Sequence, residues 1–411
     1  MTTIVKAATA SDFLALVPRL VGFHPHESLV FVAFRGNRTC GAMRFDLPAP
    51  DPAASDAAAP ASATTRSSRV DERIATTLVG MLSKLSGVDA VVPVVYTGAT
   101  FAAGPGIPRS AFIGSVVARL RFSGFTVRDA LCVAADGWGS YLDPDCPARG
   151  RPLADVESSR ILDGVPPADL GPVGSVADRA ALPEADPHER RSVVAALERF
   201  TAVLDARAPW RSARKATRGP EVDSDPGLPS LDDIPATLEE IVSHPSAAVD
   251  PLGAAFVIAI SRAPAIRDVV MMQWAFDRAV GARVLADAAD YSRGVPAGAL
   301  ETAGLMLGRG PRPDQERVDG AIAVLKSITA MAPDADRAPL YCMLAWLNWA
   351  LGRSSVADVF VTEALRVDTG YGLADLLRAV LDRAILPEWA FGDVGPDCAG
   401  TADPGSNPFS R

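Results

Sequence analysis

The chain has 411 residues, 48% of them hydrophobic, and a formal net charge of −9. Length and apolar content fit two domains with real cores. The acidic balance argues against a general nucleic-acid binder, which needs clustered cations against phosphate, and no apolar run reaches the length of a membrane span.

No N-terminal segment joins basic residues, a long apolar core and a cleavage site. Five cysteines, odd in number and scattered, make no disulfide framework (Cys40, Cys132, Cys146, Cys342 and Cys398). These features place the chain in a reducing cytoplasm.

Asp12 is an N-cap candidate, and Phe13, Leu16, Val17 and Leu20 recur at helical spacing. Pro18 lacks a backbone donor, so the expected helix is one or two turns ending before Gly22. Residues 29–34 form an apolar run too short for a helix, which reads as a buried strand. Turn residues 35–38 lead into a second strand over 39–47, giving a β-hairpin. Strand alternation then sends Cys40, Ala42, Arg44 and Asp46 one way, close enough for Arg44 and Asp46 to pair.

Residues 49–68 are low-complexity Ala/Pro/Ser and read as a disordered loop inside the first domain. An amphipathic helix is predicted over 70–85. A strand over 88–96 follows, with Pro93 implying an edge position or a bulge. A helix over 110–122, a strand over 125–134 and an extension at 139–142 complete the pattern. The implied fold is α/β, a mixed sheet with a leading hairpin and covering helices, over residues 1–208. Residues 144–187 read as a long connection, 187–208 as a helix and 209–229 as a linker. An all-α domain over 230–390 follows, with helices predicted at 231–243, 251–261, 266–289, 297–307, 315–331, 338–351, 355–367 and 372–384. Residues 391–411 read as a flexible tail.

Two sets of motifs carry a resemblance. Gly22-Phe23-His24-Pro25, Ser28-Leu29-Val30 and Arg44-Phe45-Asp46-Leu47-Pro48 resemble the opening of the actinobacterial DUF4192 family, a domain of unknown function. The likeness recurs at residues 128–131, 138–142, 266–268 and 338–390. It implies no activity, cofactor or site residue, because the family has none assigned. Related sequences carry further cysteines near residue 143, where this chain has Asp143 and keeps only Cys146, so no cysteine-cluster site is expected. Ala345, Gly352, Ala357 and Ala364 are spaced as the small residues of a tetratricopeptide-like helical hairpin, whose period is about 34 residues.

Chemistry-bearing residues concentrate in four places. His24-Pro25-His26-Glu27-Ser28 reads first as a buried turn in which His24 bonds backbone; the alternatives are a histidine pair on zinc with a third ligand, a serine beside an acid and a base, or a ligand contact. Arg44 and Asp46, with Arg128 and Asp129, are charges at strand ends, where α/β sheets bind ligands. They read as structural pairs, or as an Arg gripping phosphate or carboxylate beside an Asp base. Residues 97–108 stand between strand and helix like a phosphate loop, but lack its spaced glycines, and Pro105 and Pro108 remove donors. Arg207, Arg211, Arg214, Lys215 and Arg218 form a basic run that reads as a solvated loop.

The residues thus point to a non-catalytic module. It would bind a protein partner through its helical domain, or a small anionic ligand through His24, Ser28, Arg44, Asp46 and Arg128. No metal or other cofactor is expected, and neither nucleic acid nor membrane is an expected partner. The competing expectation is an enzyme using His24, Arg44, Asp46 and Asp129 on a phosphate- or carboxylate-bearing small molecule. An enzyme needs these side chains to converge on one cleft; a binding module leaves them paired off beside an apolar groove.

Overall fold

The computed structural model describes residues 5–49, 61–104, 106–163, 165, 173–212, 228–229, 231, 233–243, 249–296 and 302–391. The chain divides into two compact units, one built from residues 1–175 with 391–411, the other from residues 176–390.

The first unit opens with α1 (Ala10–Val21). Its cap lies upstream of the expected Asp12: the Thr9 hydroxyl accepts the Asp12 N–H at 3.1 Å. The helix also runs through Pro18 and ends at Gly22, whose φ of 80° is the left-handed conformation that glycine tolerates. Losing one internal bond at Pro18 is outweighed by burying Phe13, Leu14 and Val17.

The hairpin strands are β1 (Ser28–Arg35) and β2 (Arg38–Asp46). They are antiparallel, with a register shift between Ala33 and Phe34. That bulge puts Cys40 on the same side as Met43, Phe45 and Leu47, whereas simple alternation assigns it to the face of Ala42. Next come α2 (Ala61–Leu82), β3 (Ala90–Tyr96), α3 (Ser110–Phe122), β4 (Thr126–Val127), β5 (Leu131–Val133), β6 (Trp138–Ser140) and the short α4 (Ala154–Glu157). Alanine's high helix propensity extends α2 into a segment expected to be loop; residues 50–60 of that expectation lie outside the described residues.

The sheet order is β2-β1-β3-β5-β6, with β4 also against β3. β3 runs antiparallel to β1 and parallel to β4 and β5, so the sheet is mixed. Pro93 therefore lies on a central strand, not an edge. The carbonyls of Asp89 and Val91 accept from Thr126 and Arg128 N–H. By alternation the missing Pro93 donor faces the same side, at the break between β4 and β5.

The two faces of β1 seed two layers. Leu29, Phe31 and Ala33 pack with Val91, Val95 and Cys132 beneath α2 and α3. Val30, Val32 and Phe34 pack with Val92, Val94, Tyr96 and Trp138 beneath α1, with Leu153 and Val156 at the margin. Complete burial of both sets explains the unbroken apolar runs of β1 and β3.

The second unit is all helical among its described residues: α5 (Val176–Ala180), α6 (Pro187–Ser212), α7 (Ile234–Val242), α8 (Pro251–Ser261), α9 (Pro264–Ala275), α10 (Arg278–Ser292), α11 (Ala303–Met306), α12 (Gln315–Met331), α13 (Arg337–Ala350), α14 (Ser354–Val367) and α15 (Gly372–Asp382). α6 packs against α8, and Val193, Ala196, Leu197 and Phe200 join the helical core. The compact unit thus begins near Val176, before the boundary expected after residue 208. The basic run starts on the last turns of α6 and continues outside the described residues.

The expected helix over 266–289 is two helices. Asp277 accepts the Val280 N–H at 2.8 Å and starts α10 afresh after Phe276. α13 is buried from Ala338 to Ala350 and forms the axis of the unit, with Trp346 and Trp349 donating their indole N–H groups to the Met306 and Ile385 carbonyls. No helix among the described residues is long and apolar enough to cross a membrane.

Candidate functional site

The carboxyl ends of the parallel strands β3 and β5 are where a ligand would meet this sheet. β1 begins and β2 ends beside the end of β3, because Ser28 pairs with both Asp46 and Tyr96. Arg44 and Asp46 do share a face: their side chains form an ion pair at 2.5 Å. The Arg44 Nε also donates to the Ser28 Oγ at 2.7 Å, and that hydroxyl donates to the His26 carbonyl at 2.6 Å. Three of the expected ligand-binding residues are thus brought together, but bonded to one another.

His24 is not in a buried turn. Its side chain is exposed, and its backbone N–H donates to the Gly174 carbonyl at 3.3 Å. His26 is exposed as well. Among the described residues, no group of three His, Cys, Asp or Glu side chains could hold a metal ion.

The loop after β3 does bind anions, but they are the chain's own carboxylates. Glu27 accepts the Gly98 N–H at 2.6 Å and the Thr97 hydroxyl at 3.1 Å. Asp136 accepts the Phe101 N–H at 2.8 Å and the Ala102 N–H at 3.2 Å. Arg109 reaches Glu27 at 3.5 Å and donates to the Pro48 carbonyl at 2.9 Å. Burial pushes the Glu27 carboxyl up, but the donors of Gly98 and Thr97 and the Arg109 charge outweigh it and hold the group below its ordinary value. Glu27 and Arg109 both have positive φ, 40° and 63°, a strained conformation for residues with side chains. Glu27 lies in the stretch that the sequence marks as rich in chemistry, but Arg109 was not legible as a site residue: nothing in the sequence marks a left-handed Glu or Arg, and the pair is joined only by the fold.

Arg128 and Asp129, adjacent in sequence, part company. Arg128 turns to the hairpin tip at the opposite end of β1. There it donates to the Gly36 carbonyl and the Asn37 Oδ1, and its guanidinium stands 4.5 Å from the Phe34 ring centroid. Asp129 turns inward, accepting the Ser140 hydroxyl and, at 2.7 Å, the Ala130 N–H. Burial pushes its carboxyl above the ordinary value, and those two donors only partly offset this. Of the side chains expected to act together, Ser28, Arg44 and Asp46 bond to one another, Arg128 and Asp129 are held by other partners in separate places, and His24 is exposed.

Two polar atoms in the first unit are left over. Tyr96 and Trp138 both pair with Val133, on either side of it, so they share a sheet face. The Tyr96 hydroxyl and the Trp138 indole N–H are buried with no hydrogen-bond partner among the described residues.

In the helical unit, Val194, Leu197, Glu198, Thr201 and Ala202 form a two-turn stripe along α6. They line an open groove of about 460 Å³ with Arg262, Pro333 and Asp336. Arg262 is tied to Asp336 at 2.8 Å and to the Thr201 hydroxyl at 3.1 Å, and Glu198 adds a further negative charge to the rim. Val194 is 43% exposed, an apolar residue left open on the groove.

Comparison with known proteins adds one match. The family model described as "Domain of unknown function (DUF4192)" covers residues 11–388. No curated protein and no solved structure matches the chain.

Proposed function

This chain belongs to the DUF4192 family, and on that premise we propose that it is a non-catalytic binding module that takes a protein partner on its helical unit. One observation carries the reading. Apart from the exposed His24, the side chains that a strand-end reaction centre would use are bonded within the protein: Arg44 to Asp46 and Ser28, Asp129 to Ser140, Arg128 to the hairpin tip. A general base or anion grip must be free to meet its substrate.

The α6 stripe, with Val194, Leu197 and Ala202 at i, i+3 and i+8 on one face, supports the docking of an amphipathic partner helix. The tetratricopeptide-like spacing of α13 and α14, with Ala345, Ala357 and Ala364 buried between helices, supports the same use of the unit. An actinobacterial origin and a reducing cytoplasm belong to this reading. They are supported by the Arg- and Ala-rich composition and by the free thiols of Cys40, Cys132, Cys146 and Cys342.

The test is capture from native lysate on the immobilised full chain. Val194→Asp puts an unpaired charge into the groove and is expected to weaken capture about tenfold or more, a cost of roughly 1.4 kcal/mol. Arg44→Ala is expected to leave capture unchanged. Capture that survives Val194→Asp and fails with Arg44→Ala would move the binding surface to the sheet and contradict the proposal.

A second reading is an enzyme acting on a phosphate- or carboxylate-bearing small molecule at the strand ends. It is favoured by the unpartnered Tyr96 hydroxyl and Trp138 indole N–H, two buried donors suited to an acceptor oxygen.

A further inference from the structure

We propose that Cys132 and Cys146 are a thiol modification site, which a hydroperoxide converts to an intramolecular disulfide. Cys132 lies on β5 directly opposite Gly139 on β6. Residues so paired point to one face, with Cβ positions about 4.5–5.5 Å apart. Gly139 has no Cβ, and the sulfur of Cys146 fills that space: a Cβ built at Gly139 would lie 2.6 Å from the Cys146 Sγ. The turn after β6 therefore delivers the second sulfur to the place opposite Cys132 that a side chain would otherwise occupy.

That turn is fixed at both ends. The Cys146 N–H donates to the Asp143 carbonyl at 3.2 Å, and Trp138 and Arg151 exchange backbone bonds at 2.9 and 2.7 Å. Arg151 also pairs with Asp143 at 2.6 Å. The Phe101 ring closes the site, 3.3 Å from the same empty Cβ position. Scattered spacing in the sequence hides this pair, because only the antiparallel β5–β6 turn brings the two cysteines to one rung.

The two thiols are unequal. Cys132 is fully buried, and burial pushes its thiol up to about 12. Cys146 is partly exposed and is the one that meets an oxidant. Its sulfur attacks a peroxide oxygen, the O–O bond breaks, and the leaving hydroxide takes the thiol proton as water. The sulfenic acid on Cys146 is then attacked by the Cys132 sulfur. The S–S bond forms as the S–O bond breaks, and the second hydroxide leaves with the Cys132 proton as water. Two thiols are oxidised by two electrons in all, and one hydrogen peroxide is reduced to two waters. Because Cys132 must lose its proton, the second step is expected to quicken as pH rises.

The experiment is hydrogen peroxide treatment of the reduced full chain, followed by tryptic mapping without reductant. Both cysteines lie in peptide 129–149. The expected result is a peptide short of two hydrogens in which neither thiol can be alkylated. Cys132→Ser is expected to stop at a Cys146 sulfenic acid trapped by dimedone, and Cys146→Ser to leave Cys132 alkylatable. Gly139→Ala keeps both thiols but fills the sulfur's place, and is expected to abolish the bridge while circular dichroism stays unchanged. Wild-type chain in which Cys146 over-oxidises while Cys132 remains alkylatable would overturn the proposal, as would a bridge that forms in Gly139→Ala at the wild-type rate.

Discussion

Replacing Arg267 with alanine is expected to cost the helical unit about 3–5 kcal/mol, the loss typical of removing one partner of a buried ion pair. Arg267 is only 7% exposed, and the Asp268 side chain is 29% exposed. It donates twice to Asp268, at 2.9 and 2.7 Å, and once to the Tyr371 hydroxyl at 2.8 Å. It thereby binds α9 to the start of α15. The helix predicted over 266–289 puts Asp268 in a first turn, where an acid favours the dipole; the structure makes it the counterion of a buried arginine.

Burial already pushes the Asp268 carboxyl above its ordinary value, against the opposing charge of Arg267. Without that charge the carboxylate would be held unpaired at neutral pH. A folded-state value raised above the unfolded one penalises the ionised form, so stability is regained as pH falls and Asp268 takes up its proton. The Arg267→Ala deficit should therefore shrink in mildly acidic buffer, and Asp268→Asn on the same background should recover part of it. Chemical denaturation of the wild type and both variants checks this. Coincident wild-type and Arg267→Ala curves would show that the pair contributes nothing.

Glu239→Ala is expected to cost about 2–3 kcal/mol, because it strands several donors at once. Glu239 on α7 accepts two bonds from Arg317 of α12, both at 2.9 Å, and one from the Gln273 Nε2 of α9 at 3.0 Å. Arg317 also reaches the Gln273 carbonyl at 3.1 Å. The junction of three helices rests on this carboxylate. Burial pushes Glu239 up, but the Arg317 and Gln273 bonds outweigh it and hold it below the ordinary carboxylate value. A depressed value contributes stability above the unfolded pKa and loses it as pH falls through the folded one. The gap between wild type and Glu239→Ala should thus close in acid, and Glu239→Gln should fall between them. A gap that stays constant with pH would place the effect in packing rather than charge.

Much of this fold was legible because burial writes simple patterns. The apolar stretches at 29–34 and 88–96 named the two central strands, since both faces of each are covered. The Gln315–Met331 helix was readable end to end, with Asp314 as its cap. The misses have local causes. Asp277 carried a cap signal, but the apolar residues on either side of it read as one continuous stripe. The hairpin bulge moved Cys40, and a bulge changes facing without changing composition. α6 was assigned to the first domain because its core contacts lie far off in sequence, on α8.

The site was legible only where it was local. Period-two alternation put Arg44 beside Asp46, as observed. The same alternation should have separated Arg128 from Asp129, whose side chains leave in opposite directions. Glu27 and Arg109 could not be paired from the sequence, because loop closure over a long separation and two left-handed residues leave no periodic trace.

On the proposed function, Arg44 and Asp46 bond to one another, Asp129 is held by Ser140, and the chain binds rather than converts. The most direct measurement is turnover by the purified full chain across a panel of phosphate- and carboxylate-bearing metabolites, run beside Arg44→Ala and Asp129→Asn. The account predicts no conversion by the wild type above the level of either variant. A metabolite consumed by the wild type and spared by both variants would contradict it, and would place a reaction centre at the strand ends.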